Sequence, residues 1–274
     1  MIVTRFAPSP TGELHLGHAF SALSAFAAAR MAAGRFLLRI EDIDLGRCRP
    51  AFVDSILTDL SWLGLVWEEP VRRQSEHFDE YRAALDVLSA QGLLYPCFCT
   101  RKDIAGAGQA PHGPDGPLYP GTCRNLSPAE QLELRESGQP FALRLDCAEA
   151  TRRVGRLVWH DRFAGTVVAR PELFGDFVLA RKDCPASYHL AVTLDDAHQG
   201  VTLVTRGEDL FAATHVHRLL QALFDLPVPD YSHHPLLTGP DGRRLAKRDH
   251  AQTLRSLRED GRSAVEVRAM VGLV

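Results

Sequence analysis

Apolar and polar positions form short blocks in the first ninety residues. Residues 2–8 form a short apolar run, which predicts a strand, and 35–44 predict a second, buried strand that ends in a cluster of acids. Helix-forming composition or helical spacing of apolar residues predicts helices at 18–33, 51–63 and 76–90. The first of these helices is closed by Gly34, which we interpret as a C-cap. Strands that alternate with helices predict a parallel α/β sheet with right-handed crossovers.

A different pattern begins near Tyr95. Gly and Pro are dense across 95–127, and we expect no regular sheet element in that segment. The elements predicted after it are a short helix at 128–136, antiparallel strands at 141–147, 156–162, 165–171 and 176–183, buried strands at 190–196 and 201–210, and a helix at 214–224.

The change of pattern predicts one parallel α/β domain that is interrupted by an insertion. The α/β domain spans 1–95 and 186–240, and the insertion spans 96–185. Residues 241–274 hold a loop and about two helices.

Composition narrows the class of protein. The chain has 274 residues, 45% of them hydrophobic, so it can bury a sizeable core. Its formal net charge of -3 gives no global attraction to nucleic acid, so any such binding needs local basic patches. The chain shows no signal-peptide pattern and no apolar run long enough to cross a bilayer, and its six irregularly spaced cysteines do not form a disulfide framework. We expect a reduced, monomeric, cytoplasmic enzyme without a membrane partner.

The stretch PSPTGELHLGH, residues 8–18, holds two histidines just before the first predicted helix. One interpretation is that His15 caps the helix and His18 is a half-buried surface residue. The other is that both rings donate to phosphate oxygens, with Gly17 allowing the backbone to approach the ligand. A strand, a Gly-containing turn and a helix place backbone N–H groups at the sheet edge where anions bind, which favours the second interpretation.

Four segments in order, FAPSPTGELHLGH, RIEDID, TRGEDL and RRLAKRD, closely resemble the class I glutamyl-tRNA synthetases. The resemblance runs through the whole chain and implies a Rossmann-type catalytic domain, an inserted α+β zinc-containing subdomain and a short helical C-terminus. HLGH stands at the place of the family's HIGH signature, and RLAKR at that of its KMSKS loop. That loop departs from the family at Arg244 and Ala246 but keeps Lys247. Only three residues of this chain are lysines, which supports a need for an ammonium group there.

The chain ends soon after this loop, whereas family members that charge a tRNA 3′ end continue into a large anticodon-binding domain. This short form resembles the glutamyl-Q tRNA(Asp) branch of the family. The resemblance implies activation of L-glutamate with ATP and Mg²⁺, then transfer of glutamate to queuosine in the anticodon of tRNA(Asp). Two alternatives stay open: a shortened synthetase that charges a 3′ end, and a catalytically silent RNA-binding module.

The resemblance also assigns the site residues. His15, His18 and Lys247 are the catalytic donors, and together with Gly17 they bind ATP. Arg5, Tyr188 and Arg206 address the carboxylates of glutamate, Ser9 and Glu41 hold its amino end, and Ala7 is a further glutamate contact. Formation of an adenylate needs positioning and positive charge but no general base, since the attacking carboxylate is already ionised.

Three cysteines are crowded into the Gly/Pro-rich segment. Cys97, Cys99 and Cys123 supply three of the four ligands that a tetrahedral zinc requires, and a metal would order a segment with little apolar content. His112 is a suitable fourth ligand on chemical grounds, whereas the family pattern implies Tyr119, which we favour. Three unrelated reduced thiols are the alternative.

Overall fold

The computed structural model describes residues 1–106, 112–114, 116–237 and 252–273. The strands in this part of the chain are β1 (Val3–Phe6), β2 (Arg35–Ile40), β3 (Glu68–Arg73), β4 (Leu94–Cys97), β5 (His112–Gly113), β6 (Gly116–Pro117), β7 (Ala142–Leu145), β8 (Val158–Asp161), β9 (Gly165–Val168), β10 (Val178–Ala180), β11 (Leu203–Gly207) and β12 (Asp230–His234). The helices are α1 (Leu16–Met31), α2 (Pro50–Trp62), α3 (Phe78–Ala90), α4 (Arg101–Gly106), α5 (Pro128–Glu136), α6 (Cys147–Val154), α7 (Tyr188–His198), α8 (Ala213–Leu223), α9 (Leu254–Glu259) and α10 (Ala264–Met270).

A parallel sheet runs through the centre of the molecule. Strands β1, β2 and β3 pair in parallel, as do β11 and β12. The two groups meet where Thr202 N donates to Val3 O at 3.0 Å and Val3 N donates to Thr202 Oγ1 at 2.9 Å. The resulting order β3-β2-β1-β11-β12 is that of a doubly wound, Rossmann-like fold, so the predicted α/β class with a parallel sheet is confirmed.

Two groups of antiparallel strands flank this sheet. The hairpin β8–β9 continues it, because Asp161 of β8 pairs with Tyr231 of β12. Strands β10, β7 and β4 form a separate sheet in that order. The expectation of no regular sheet element in 95–127 is therefore wrong at β4, and also at the two-residue strands β5 and β6. Pro96 is tolerated there because β4 is an edge strand, where a missing N–H costs little. The division at residues 96 and 185 stays a prediction.

The segment 190–196, predicted as a strand, is part of helix α7. The Ser187 side chain caps this helix by accepting from Leu190 N at 3.3 Å. Leu190, Ala191 and Val192 are all buried, and so are Asp195 and Asp196. A helix buried around most of its surface shows no amphipathic period, and the run of apolar residues then resembles a strand.

Helix α1 ends before Gly34, contrary to the predicted C-cap at that residue. Its C-cap is Ala32. A Cβ at position 34 would lie 2.1 Å from the carbonyl oxygen of Ile2. Gly34 is therefore required by a close approach of two chain segments rather than by helix capping.

The helices enclose two hydrophobic clusters. Helices α1, α2, α9 and α10 share one cluster, and α3, α6, α7 and α8 share the other. The two helices predicted after residue 241 are thus present as α9 and α10. At the start of α9, Leu254 N donates to the carbonyl oxygen of Leu14 at 2.8 Å. Within the described ranges, no helix combines the length and apolar character needed to cross a bilayer.

Candidate active site

A cavity of about 430 Å³ lies where β1, β2 and β11 end, beside the N-terminus of α1. The predicted site residues that line it are Arg5, Ala7, Ser9, His15, Gly17, His18, Glu41, Tyr188 and Arg206. Lys247 and the rest of the RLAKR segment lie outside the described residues. The chain thus brings together in one cavity the described residues predicted for ATP and glutamate.

The N-terminus of α1 is built from the two histidines. His15 is the N-cap, and its Nδ1 accepts from Gly17 N at 3.1 Å, while His15 N donates to Nδ1 of His18 at 3.2 Å. Because a backbone N–H can only donate, each Nδ1 carries a lone pair, and each neutral ring holds its proton on Nε2. Helix capping and donation to a ligand are therefore compatible roles for the same ring.

Gly17 is placed by the His15 ring. A Cβ at position 17 would lie 3.0 Å from Cε1 and 3.1 Å from Nδ1 of His15. The predicted reason for this glycine was close approach of a ligand to the backbone, but the atoms that a Cβ would meet belong to the capping ring of His15. Any larger residue would push that ring away from the helix end.

Arg206, from β11, is a buried cation at the wall of the cavity. Its Nε donates to Nε2 of His233 at 3.1 Å, and its Nη2 donates to Thr214 Oγ1 at 2.7 Å. Nη1 lies 3.4 Å from the Tyr188 hydroxyl and from Nδ1 of His217. Among the described residues, none of its partners is a carboxylate, so its positive charge is available to an anionic ligand.

Both histidines beside Arg206 are neutral near pH 7. Burial and the charge of Arg206 lower the pKa of His233 to about 4, although Asp161 opposes this shift. Burial and the same guanidinium lower the pKa of His217 well below its usual range. The neutral rings accept hydrogen bonds from Arg206 without adding further positive charge.

Arg5 and Glu41 belong to a buried network of charges that sequence reasoning missed. Arg5 makes a two-pronged contact with Asp196 at 2.9 and 3.3 Å. Arg39, which is fully buried, donates to Asp196 at 2.8 Å and to Glu41 Oε1 at 3.0 Å. Burial raises the pKa of Glu41 more than these guanidinium groups lower it. The sequence signal was a charged residue, Arg39, in the middle of an apolar strand.

The three cysteines of the Gly/Pro-rich segment meet at one point. The Sγ atoms of Cys97, Cys99 and Cys123 lie within 4.8 Å of one another. The Tyr119 hydroxyl lies 3.7 Å from the Cys99 sulfur and accepts from Cys123 N at 2.7 Å. His112, exposed on β5, is absent from this cluster. Three thiols and a phenol at these separations could hold a metal ion.

Comparison with known proteins shows the family of this chain. The sequence model of the tRNA synthetases class I (E and Q), catalytic domain, matches residues 1–273. A glutamyl-Q tRNA(Asp) synthetase of Rhodobacter capsulatus is 49% identical over 99% of this chain and 100% of its own length. A second one, from Symbiobacterium thermophilum, is 45% identical over 96% of this chain and 83% of its own length. The chain belongs to the glutamyl-Q tRNA(Asp) synthetases, within class I.

A solved structure of a related ligase is similar to this synthetase in fold. A glutamate tRNA ligase from Elizabethkingia meningosepticum, in complex with its amino acid, superposes with a TM-score of 0.76 at 29% identity. The match covers 90% of this chain and 52% of that chain, so the synthetase described here spans about half the length of that ligase.

A second cavity of this synthetase, about 770 Å³, adjoins the first. Ser9, Thr11, Glu41 and Tyr188 line both cavities. The second cavity extends past Arg47, Arg181 and Lys182 to Cys99 of the cysteine cluster. A large polar group could therefore reach the Glu41 side of the first cavity from the side of the insertion.

Proposed function

We propose that the protein activates L-glutamate with ATP and transfers the glutamyl group to queuosine in the anticodon of tRNA(Asp). The observation that carries the choice of amino acid is Arg206, a buried cation in the cavity wall with neutral partners. The names of relatives that are 41–49% identical support the choice of acceptor.

Activation joins the α-carboxylate of glutamate to the α-phosphorus of ATP. One carboxylate oxygen attacks, the bond to the bridging oxygen breaks, and pyrophosphate leaves with its electron pair. The Nε2–H groups of His15 and His18 and the ammonium group of Lys247 stabilise the negative charge that builds up on the phosphate oxygens, and Mg²⁺ bound with ATP would add positive charge there. A queuosine hydroxyl then attacks the carbonyl carbon of the adenylate, AMP leaves, and an ester forms.

Glutamate is oriented by opposite charges at its two ends. Arg206 and Tyr188 face the side-chain carboxylate. Arg5 also lines the cavity, but its pairing with Asp196 leaves it the smaller share in binding the carboxylates. Glu41 provides an anionic partner for the ammonium group, with Ser9 and Ala7 beside it. Because Glu41 is buried, a cationic partner also restores favourable ionisation of its carboxyl group.

We assign a structural zinc to Cys97, Cys99, Tyr119 and Cys123. A tetrahedral site with Zn–S bonds of about 2.3 Å places sulfurs about 3.8 Å apart. The Cys99 and Cys123 sulfurs are 3.6 Å apart, which fits this spacing. The ion would tie β4 to the loop before α5 and fix one wall of the second cavity.

The amino-acid specificity can be tested by glutamate-dependent exchange of pyrophosphate with ATP. We expect exchange with glutamate, at least about 100-fold weaker exchange with glutamine, and a comparable loss in Arg206→Gln. Absence of exchange with every amino acid would point to a silent RNA-binding module.

The acceptor can be tested with an isolated anticodon stem-loop of tRNA(Asp). The stem-loop with queuosine should accept glutamate, the same stem-loop with guanosine should not, and the product ester should hydrolyse in mild alkali. The 40% identity to a glutamate–tRNA ligase of Aquifex aeolicus supports the alternative of charging a 3′ end. That alternative would be established if periodate-oxidised tRNA failed to accept glutamate while queuosine-free tRNA succeeded.

A further inference from the structure

Two buried polar residues, His233 and Asp161, follow Arg206 in a row of hydrogen bonds that leads away from the cavity of the proposed site. His233, on β12, places Nε2 opposite Arg206 Nε at 3.1 Å and Nδ1 opposite Asp161 Oδ2 at 2.8 Å. Asp161, at the end of β8, is only 1% exposed, and His233 is 6% exposed. Neither residue lines the cavity that holds the predicted site residues.

The orientation of the His233 ring is fixed by its neighbours. It stacks on Tyr231 with ring planes 5° apart and meets the edge of Trp159 and the ring of Phe211. These three contacts restrict rotation of the His233 ring.

The tautomer of His233 is fixed by what faces each nitrogen. Arg206 Nε can only donate, and it requires a lone pair on Nε2. The Asp161 carboxylate can only accept, and it requires a proton on Nδ1. Thr214 Oγ1, which accepts from Arg206 Nη2, lies 3.3 Å from Nε2 and can donate its hydroxyl proton there.

We propose that Asp161 and His233 act as a positioning relay that holds the Arg206 guanidinium toward the cavity and thereby sets the preference for a carboxylate over an amide in the substrate. This inference rests on the proposed function for the identity of the substrate. Asp161 fixes the tautomer and His233 accepts from Arg206 Nε. Nη1 of Arg206, whose contacts with Tyr188 and His217 are long at 3.4 Å, then stays available to the ligand.

The relay explains how the Arg206 guanidinium can be buried although, among the described residues, no carboxylate is bonded to it directly. A carboxylate in contact with Arg206 would satisfy its N–H fork and compete with the substrate. With an imidazole in between, the Asp161 charge still stabilises the buried guanidinium, but from a greater distance. Asp161 also accepts from Phe163 N and Ala164 N in the β8–β9 turn, so its substitution also disturbs that turn.

A double-mutant cycle of Asp161 and His233 separates the effect of Asp161 on Arg206 from its effect on the β8–β9 turn. In Asp161→Asn, an amide N–H can face Nδ1 and favour a proton on Nε2, which would oppose Arg206. We expect the KM for glutamate in pyrophosphate exchange to rise about tenfold or more, the preference for glutamate over glutamine to fall, and the KM for ATP to stay within about twofold. In His233→Gln, the amide oxygen of the new side chain can accept from Arg206 whichever residue stands at position 161. In this background, Asp161→Asn should therefore change the KM for glutamate by less than about threefold.

An equal rise in both backgrounds, or a rise in the KM for ATP of similar size, would overturn the relay. Asp230→Asn is the control for loss of one negative charge, because Asp230 lies exposed at the start of β12, the strand that carries His233. A ¹⁵N spectrum of the unliganded protein gives a second, substrate-free readout. Wild-type His233 should be protonated on Nδ1 alone at pH 7, and protonation on Nε2 would refute the relay. Failure of wild-type exchange with glutamate would instead count against the proposed function, and the spectrum would still decide the relay.

Discussion

His15 donates its backbone N–H to Nδ1 of His18 at 3.2 Å, and the two ring centroids lie 3.8 Å apart. Together with the bond from Gly17 N to His15 Nδ1, this forms a reciprocal capping box made of histidines. The side-chain atoms that cap the start of α1 thus also leave the proton of each ring on Nε2, from which it can be donated in a hydrogen bond to a phosphate oxygen.

Comparison of His15→Asn with His15→Ala should separate the role of His15 as helix N-cap from its role as hydrogen-bond donor to phosphate. Asn retains an acceptor near the position of Nδ1 and is a good N-cap, but it lacks the Nε2–H. Both variants should lose at least about 100-fold in glutamate-dependent exchange, whereas only His15→Ala should lose about 1 kcal/mol of unfolding free energy in urea. Near-normal exchange in His15→Asn would show that His15 serves the helix alone.

The elements that sequence reasoning located well are those with a hydrophobic signal. Strands β1, β2 and β11 and helices α1, α2 and α8 are apolar or amphipathic, and their positions agree with prediction within a few residues. Strands β3 and β12 were missed because their sequences, EEPVRR and DYSHH, are polar. Tertiary contacts supply the partners that make such strands stable, and a local pattern does not show them.

The difference between local sequence patterns and tertiary contacts also explains which site residues could be predicted. His15 and Arg206 lie in segments that match family motifs, so both were predicted before the structure. Asp161 lies far from those motifs along the chain, and Asp196 lies nine residues before Thr205, the first residue of TRGEDL. Folding places these two carboxylates in contact with His233 and Arg5. A charged residue in an otherwise buried segment is the only signal that could have marked them.

Lys247→Ala should lower the rate of adenylate formation by about 100-fold or more. The residue is a lysine in a chain that nearly always uses arginine, and we expect its ammonium group to act at the transferred phosphate. Single-turnover formation of glutamyl-adenylate is the direct measurement. Lys102→Ala, at an exposed lysine of α4, is the matched control and should retain the wild-type rate. A normal rate in Lys247→Ala would remove this residue from the phosphate site.

The purified protein should contain about one zinc per chain by metal analysis. Cys99→Ser should lose the metal, and Tyr119→Phe should weaken its retention against a chelator, because each removes one ligand of four. His112→Ala is the control and should keep the metal, since His112 is absent from the cysteine cluster. Loss of zinc in His112→Ala with full retention in Tyr119→Phe would reverse the choice of fourth ligand. Pyrophosphate exchange should fall less than zinc content in Cys99→Ser.

Stability should fall as the pH is lowered from 7 to 5, and His233 should account for a measurable part of the loss. Its folded pKa of about 4 lies below the value of about 6.5 for an unfolded histidine, so the unfolded chain takes up a proton first. The contribution is therefore complete above the unfolded pKa and is lost as the pH falls toward 4. At pH 5 the loss from this residue amounts to about 2 kcal/mol. His217, whose pKa is also lowered by burial, acts in the same direction.

Urea unfolding of wild type, His233→Gln and His160→Gln at pH 7 and pH 5 measures this contribution. His160 is exposed on β8 and serves as the control for removal of one imidazole. Acid also weakens metal binding, but that loss is common to the three proteins and cancels in the comparison. His233→Gln should lose about 2 kcal/mol less than wild type between the two pH values, and His160→Gln should match wild type. An unchanged pH dependence in His233→Gln would mean that folding does not lower the pKa of His233. A larger loss in His233→Gln than in wild type would mean that His233 is protonated beside Asp161 at pH 7, so that Arg206 faces a cation instead of an acceptor.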